Sequence, residues 1–330
     1  MSTPHLPDPA GDLRRLLDEG RFRDLLAAHA SLEPASLRER PEVELVAATA
    51  ATRVGELEQA AALAGDATAQ FRLRGDVDGE ARAVNLIGAI DFERGALTEA
   101  QRSFVDALSL ARRIADTRLE ARAANNLASV MMLRGVPATA LGLYRDALSA
   151  YQRLGDRRGA AETHHNLGLV YRLLGMQREA AAAIEQAVRH AEFAAAPDLM
   201  ALALMGRAEL ELERGDLDLA EHTLACAAAL CEAADDAIGA AEVVRLQSRT
   251  TLRRGDADAA LALALGALEV ATTFGAALLI GESRAAAALA ARAAGRDAEA
   301  TAHREAAIVQ FQRLGAALFQ ERFDAEWLGT

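Results

Sequence analysis

Small and apolar residues recur along this 330-residue chain in a register of 40, with polar positions between them. Stepping by 40 from Gly55 gives Gly95, Gly135, Gly175, Gly215, Gly255 and Gly295, with no insertion or deletion. Five residues after each glycine stands an alanine: Ala60, Ala100, Ala140, Ala180, Ala220, Ala260 and Ala300. Seven further on stands another: Ala67, Ala107, Ala147, Ala187, Ala227, Ala267 and Ala307. A fourth small column lies seven residues before the glycines, at Ala48, Gly88, Ala128, Gly168, Ala208, Ser248 and Ala288. Alanine is abundant, so one column is compatible with chance, but the glycine and two alanine columns in one register are not. A fixed period of this kind marks a repeat architecture.

Each glycine follows an apolar segment of 3.6 period, such as residues 165–174, and so fits the left-handed position just past a helix end. A Cβ there costs about 1–2 kcal/mol. Each unit is therefore expected to hold a helix A that ends at the glycine and a helix B that carries the two alanines on one face. The spacing of those alanines, and the small column of helix A, imply close approach of neighbouring helices. The fullest copy spans residues 161–180, AETHHNLGLVYRLLGMQREA.

In that copy Gly168, Tyr171, Gly175, Ala180 and Ala187 resemble the signature of the tetratricopeptide repeat (TPR). The period of 40, with Asn166-Leu167-Gly168, Asn125-Asn126-Leu127-Ala128 and Leu154-Gly155-Asp156, is similar to the longer-helix variety of kinesin light chain and of bacterial regulators of the Rap and MalT-like kinds. The resemblance covers about residues 41–320. It departs at the aromatic position, where Asp91, Met131, Glu211, Thr251 and Ala291 stand in place of Tyr171. It implies an all-α, right-handed TPR superhelix, an α-solenoid of antiparallel helix pairs. Residues 1–40 are expected to form a tail and a degenerate helix pair, residues 41–320 seven repeats, and residues 321–330 the end of a closing helix. In that closing helix Phe319, Phe323 and Trp327 form a stripe suited to covering the last repeat.

Composition narrows the chemistry. The net charge of −12 argues against a nucleic-acid surface, which needs clustered cations. No lysine is present, so all 36 basic residues are arginine. This removes a P-loop, a protein-kinase lysine and any Schiff-base lysine. It also removes the Lys-containing dicarboxylate clamp by which some TPR proteins hold chaperone C-termini. Residues 1–10 lack the apolar region of a signal peptide. The apolar run 259–281 is interrupted by Glu269 and by the turn at Gly275, so no membrane span is expected.

By the helical period, positions 2, 5, 9 and 12 of each unit share one face of helix A. In the resembled proteins that face lines a concave groove. Repeats two to four place there Arg82, Asn85, Phe92, Arg122, Asn125, Ser129, Met132, Glu162, His165, Leu169 and Arg172. Amides and arginines suit the backbone of an extended peptide, and Phe92 and Met132 suit apolar pockets; a merely solvated helix face is the alternative.

No catalytic or metal-binding set is expected. Adjacent His164 and His165 diverge by about 100° on a helix, and His164 shares its column with Val84, Ala124, Leu204 and Val244, which suggests a helix–helix contact. Cys226 and Cys231 fit neither CxxC nor zinc spacing and are expected as buried thiols. The Arg-Gly-Asp triplets beginning at Arg74, Arg214 and Arg254 read as inter-helix turns with the aspartate as N-cap. The expectation is thus a cytoplasmic, non-enzymatic scaffold or adaptor without cofactor, binding a protein or peptide segment. The alternative is a bacterial regulator that responds to a peptide or small ligand.

Overall fold

The computed structural model describes residues 9–33, 37 and 39–329; the proline-bearing tail expected at the N-terminus lies largely outside them. The described residues form seventeen α-helices and no strand. Helices α1 (Pro9–Asp18) and α2 (Phe22–Ala30) come first. Then follow α3 (Pro41–Arg53), α4 (Leu57–Arg74), α5 (Val77–Glu93), α6 (Leu97–Arg113), α7 (Thr117–Leu133), α8 (Pro137–Leu154), α9 (Arg157–Leu173) and α10 (Gln177–Phe193). The chain continues through α11 (Pro197–Arg214), α12 (Leu217–Ala233), α13 (Ala237–Arg253), α14 (Ala257–Thr273), α15 (Ala277–Ala293), α16 (Asp297–Leu314) and α17 (Ala317–Leu328). Odd-numbered helices from α3 to α15 are the A helices and even-numbered ones from α4 to α16 the B helices. Each packs on its sequence neighbour, the arrangement of an α-solenoid.

Two compact units emerge: residues through Arg94 with Thr98–Ala123, and Gly95–Leu97 with Ala124 onward. In the first, Leu13 and Leu25 from α1 and α2 join Val43, Val46 and Ala47 of α3 in one apolar cluster. In the second, representative clusters knit α11, α12 and α13 through Leu224, Val243 and Leu246, and α14, α15 and α16 through Leu261, Ala287 and Ala300.

All seven register glycines have positive φ, from 72° to 90°. The turns from B to A are left-handed as well, yet without a glycine column: Gly75, Gly155, Gly275 and Gly315 share that role with Ala115, Ala195 and Asp235, at φ 56°, 48° and 52°. Ala195→Gly should raise the unfolding free energy by about 0.5 kcal/mol, as relief of the left-handed Cβ exceeds the extra freedom of glycine in the unfolded chain. A urea midpoint that falls instead would contradict this.

The fourteen register alanines of the B helices are 0–1% exposed. The small column of helix A exists because a bulky B-helix side chain lands on it: Phe104 lies on Gly88 and Ile184 on Gly168. Where the column holds serine, Ser248 Oγ donates to the Ala260 carbonyl at 2.7 Å.

A second interlock joins each B helix to the following A helix, eight residues on. Bulk on one side meets a small residue on the other, and the sides alternate: Phe71 with Gly79, Ala111 with Leu119, Tyr151 with Gly159, Cys231 with Gly239, and Ala271 with Leu279, while the register sets Ala191 and Leu199 at the corresponding positions. A Cβ on Gly79 or Gly159 would enter the ring of Phe71 or Tyr151, whereas Leu119 and Leu279 fill the space that Ala111 and Ala271 leave.

Cys231 is buried, and its thiol is pushed up to about 11, chiefly by that burial. Cys226 is exposed, contrary to expectation, since five residues on a helix rotate a side chain by about 140° away from its partner's face. Of the three Arg-Gly-Asp aspartates, Asp76 and Asp256 cap α5 and α14 by accepting from Gly79 N and Ala259 N, while Asp216 occupies the N-cap of α12 without such a bond. Among the described residues no helix is long and apolar enough to cross a membrane.

Candidate functional site

In the first unit, Arg82 is exposed and pairs with Asp78 one turn earlier at 3.0 Å. Asn85 is buried, Phe92 half-buried and Arg122 exposed. In the second unit the structure draws several anticipated residues together. Asn125 is buried; its Nδ2 donates to Glu162 at 3.0 Å, and its Oδ1 accepts from Thr163 Oγ1 at 3.1 Å. Ser129 Oγ and the Tyr144 hydroxyl lie 2.8 Å apart, and Met132 is buried while Leu169 is half-buried. These side chains tie α7, α8 and α9 to one another.

His165 packs on Gly206 of α11, and its Nδ1 has no hydrogen-bond partner among the described residues. Burial holds its pKa down at about 4, with Arg172 adding to the effect and Glu242 opposing it, so the ring is neutral at pH 7. His164 lies against α10, its ring stacked on His190 at 5.3 Å.

Arg172 leads out of this group into a larger one. Its buried guanidinium reaches Glu209 at 2.8 Å and Glu213 at 3.1 Å, both on α11. One A helix further, Arg245 pairs with Glu242, Glu282 (3.6 Å) and Glu209 (3.7 Å). Arg249 reaches Glu209 at 3.8 Å and Glu326 of α17 at 2.8 Å. Arg322, also on α17, pairs with Glu213 and lies 3.5 Å from Glu326. Positions 2, 5, 9 and 12 of the A helices, continued through repeats four to seven, supply Arg172, Glu209, Glu242, Arg245, Arg249 and Glu282. The sequence rule therefore extends to this network, although the aromatic column fails in repeats five to seven.

Five carboxylates meet four guanidiniums in this network, and the imbalance has an electrostatic consequence. The Glu282 carboxyl is pushed up to about 7 by burial, with Glu242 and Glu209 acting in the same direction and Arg245 and Arg172 against it. For Arg245 burial works toward neutrality, but Glu242, Glu282 and Glu209 outweigh it and hold the guanidinium charged. A raised carboxyl favours the folded state fully below its unfolded value of about 4.5, and that contribution is lost as pH rises through about 7. Glu282→Gln should therefore remove a decline on the order of 2 kcal/mol between pH 4.5 and 7.5. Urea titrations of both proteins across that window test this, and parallel profiles would contradict it.

Helix α17 has two working faces. Phe319 and Phe323 are buried against Phe311 of α16, with ring centroids 6.4 Å from it. Trp327 lies between the guanidiniums of Arg292, at 4.3 Å, and Arg304, at 5.3 Å. On the other face Arg322 and Glu326 complete the charged network. Between the faces is a cavity of about 50 Å³, lined by Arg172, Glu209, Arg245, Arg249 and Glu282 together with Phe311, Phe319 and Phe323. The apolar stripe was legible in the sequence, whereas the second face was not. Among the described residues no group of three or more His, Cys, Asp and Glu has metal-binding geometry.

The tetratricopeptide repeat family profile matches residues 119–192. A search of curated proteins gives no match. Among solved structures, a Rap protein complexed with competence and sporulation factor superposes with TM-score 0.78 at 13% identity, covering 93% of this chain and 85% of that one. The Rap conjugation gene regulator of plasmid pLS20, in complex with the Phr* peptide, gives 0.70 at 14%, covering 83% and 74%. Aspartyl phosphate phosphatase F from Bacillus subtilis gives 0.63 at 11%, covering 95% and 96%. These likenesses concern the fold.

Proposed function

We propose that this chain, a TPR-like helical repeat protein, is a non-enzymatic cytoplasmic adaptor that holds a protein or peptide segment along the shared face of its A helices. The observation that carries the reading is the chemistry of that face. Columns 2, 5, 9 and 12 hold arginines, carboxylates and amides in successive units, while the register alanines of the B helices are given over to packing. Two of the similar structures are Rap proteins complexed with a factor or a peptide, which supports a regulator that answers to a bound peptide as the second reading. The proposed contact residues are those anticipated in repeats two to four, with Arg82 and Arg122 the exposed pair best placed to meet a partner without a role in the core.

The test follows from their exposure. Arg82→Glu with Arg122→Glu should keep the helicity and urea midpoint of the wild-type chain while losing a specific partner recovered by cross-linked pull-down, with affinity then measured by calorimetry on the purified pair. Equal recovery by both proteins would overturn this placement of the site.

A further inference from the structure

A helix that merely sealed the last repeat would need only the apolar stripe of α17. This one also extends Arg322 and Glu326 onto the A-helix face, reaching Glu213 two repeats back and Arg249. Arg322 retains a quarter of its side-chain exposure, so this contact is accessible to solvent, unlike the buried Arg172 and Arg245 pairs behind it. The start of α17 also lies beside the α7–α8 turn, where a Cβ on Gly135 would stand 3.3 Å from that of Ala317. Within the second unit the helix thus lies across the A-helix face that carries Glu213 and Arg249.

We propose that α17 is a displaceable, built-in occupant of this face, and that a partner segment which replaces it brings an arginine side chain to Glu213 in place of Arg322. The proposal rests on the adaptor reading and adds to it the chemistry of the segment and the chain's own competitor. Charge supports an arginine: without α17 the face retains Glu209, Glu213, Glu242 and Glu282 against Arg172, Arg245 and Arg249, a carboxylate in excess. Glu213 then has Arg172 on one oxygen and an amide from Gln177 on the other, at 3.1 and 2.8 Å, and has lost its second guanidinium. A planar guanidinium matches a carboxylate in a way an ammonium does not.

The probe is a fluorescein-labelled synthetic peptide of residues 315–329 carrying Trp327→Phe, so that Trp327 of the 330-residue chain remains the sole tryptophan. The Arg322→Gln chain, whose own helix competes less well, should bind the peptide about tenfold tighter than wild type. A peptide that also carries Arg322→Gln should bind about tenfold more weakly than the unaltered one. The Glu213→Gln chain, lacking the acceptor, should gain nothing over wild type although its helix is equally loosened. Acrylamide quenching of Trp327 should rise on binding. No binding to any chain, equal affinity for wild type and Arg322→Gln, or unchanged quenching would each overturn the proposal. Partner recovery in the Arg82→Glu, Arg122→Glu comparison is read independently, so a chain that keeps its partner but ignores the peptide refutes the competition alone.

Discussion

Gly159→Leu is expected to lower the unfolding free energy by about 2 kcal/mol, and Tyr151→Ala by about 3 kcal/mol, while the double variant loses only about 2 kcal/mol, a coupling on the order of 3 kcal/mol. The reason is local. Gly159 is the only residue type that leaves room for the Tyr151 ring at the α8–α9 contact, so a leucine there overpacks and an alanine at position 151 leaves a cavity. Together the two changes reproduce the pair already present one repeat earlier, where Leu119 packs on Ala111. Urea titration of the four proteins gives the coupling directly. If the double variant is as unstable as the sum of the singles, alternation of bulk across the B–A contacts is not what holds these helices together.

The second large effect lies in the charged network. Removing one partner of a buried ion pair leaves the other charge unpaired, so Arg245→Met should lower the unfolding free energy by about 3–4 kcal/mol at pH 8. The sidedness of the deficit is more telling than its size. Without Arg245 the carboxyls of Glu242 and Glu282 face each other with less compensation, and protons then bind the folded state more readily than the unfolded one. The deficit should shrink to roughly half by pH 5.5. Arg254→Met, which removes an exposed cation from Asp218 and Glu221, should leave the midpoint nearly unchanged at both values. A pH-independent deficit in Arg245→Met would assign its cost to lost packing.

What could be read from the sequence follows from which positions tolerate alternatives. The A-to-B turns were legible because glycine fills every one of them. The B-to-A turns were hidden because Ala115, Ala195 and Asp235 adopt the same left-handed backbone at a cost the surrounding packing outweighs. The anticipated Asn125 and Glu162 do meet. Their amide and carboxylate bond to each other, however, and a periodicity argument can place two side chains on one face without saying whether they are free. Arg172 was anticipated, but its carboxylate partners were not: Glu209 stands in a repeat whose other face positions are the apolar Leu202, Met205 and Leu212, and Glu213 lies one residue outside the four columns. Glu326 and Arg322 stand four apart on α17, the spacing of an ordinary solvated pair, and a sequence does not show what stands opposite.

The alternating bulk at the B–A contacts bears on how such a chain can grow or shrink over generations. Excising residues 136–175 joins Gly135 to Met176, removes Tyr151 and Gly159 together, and leaves every other B–A pair intact, while Ile184 comes to face Ala128 in place of Gly168, a small residue in both cases. Excising the equally long segment 156–195 joins Gly155 to Ala196 and confronts Tyr151 with Leu199, two bulky residues where one fits. The tolerated unit of duplication or loss is therefore a B helix with the A helix that follows it, so the heritable module is offset by one helix from the A–B pair that the repeating glycines appear to delimit.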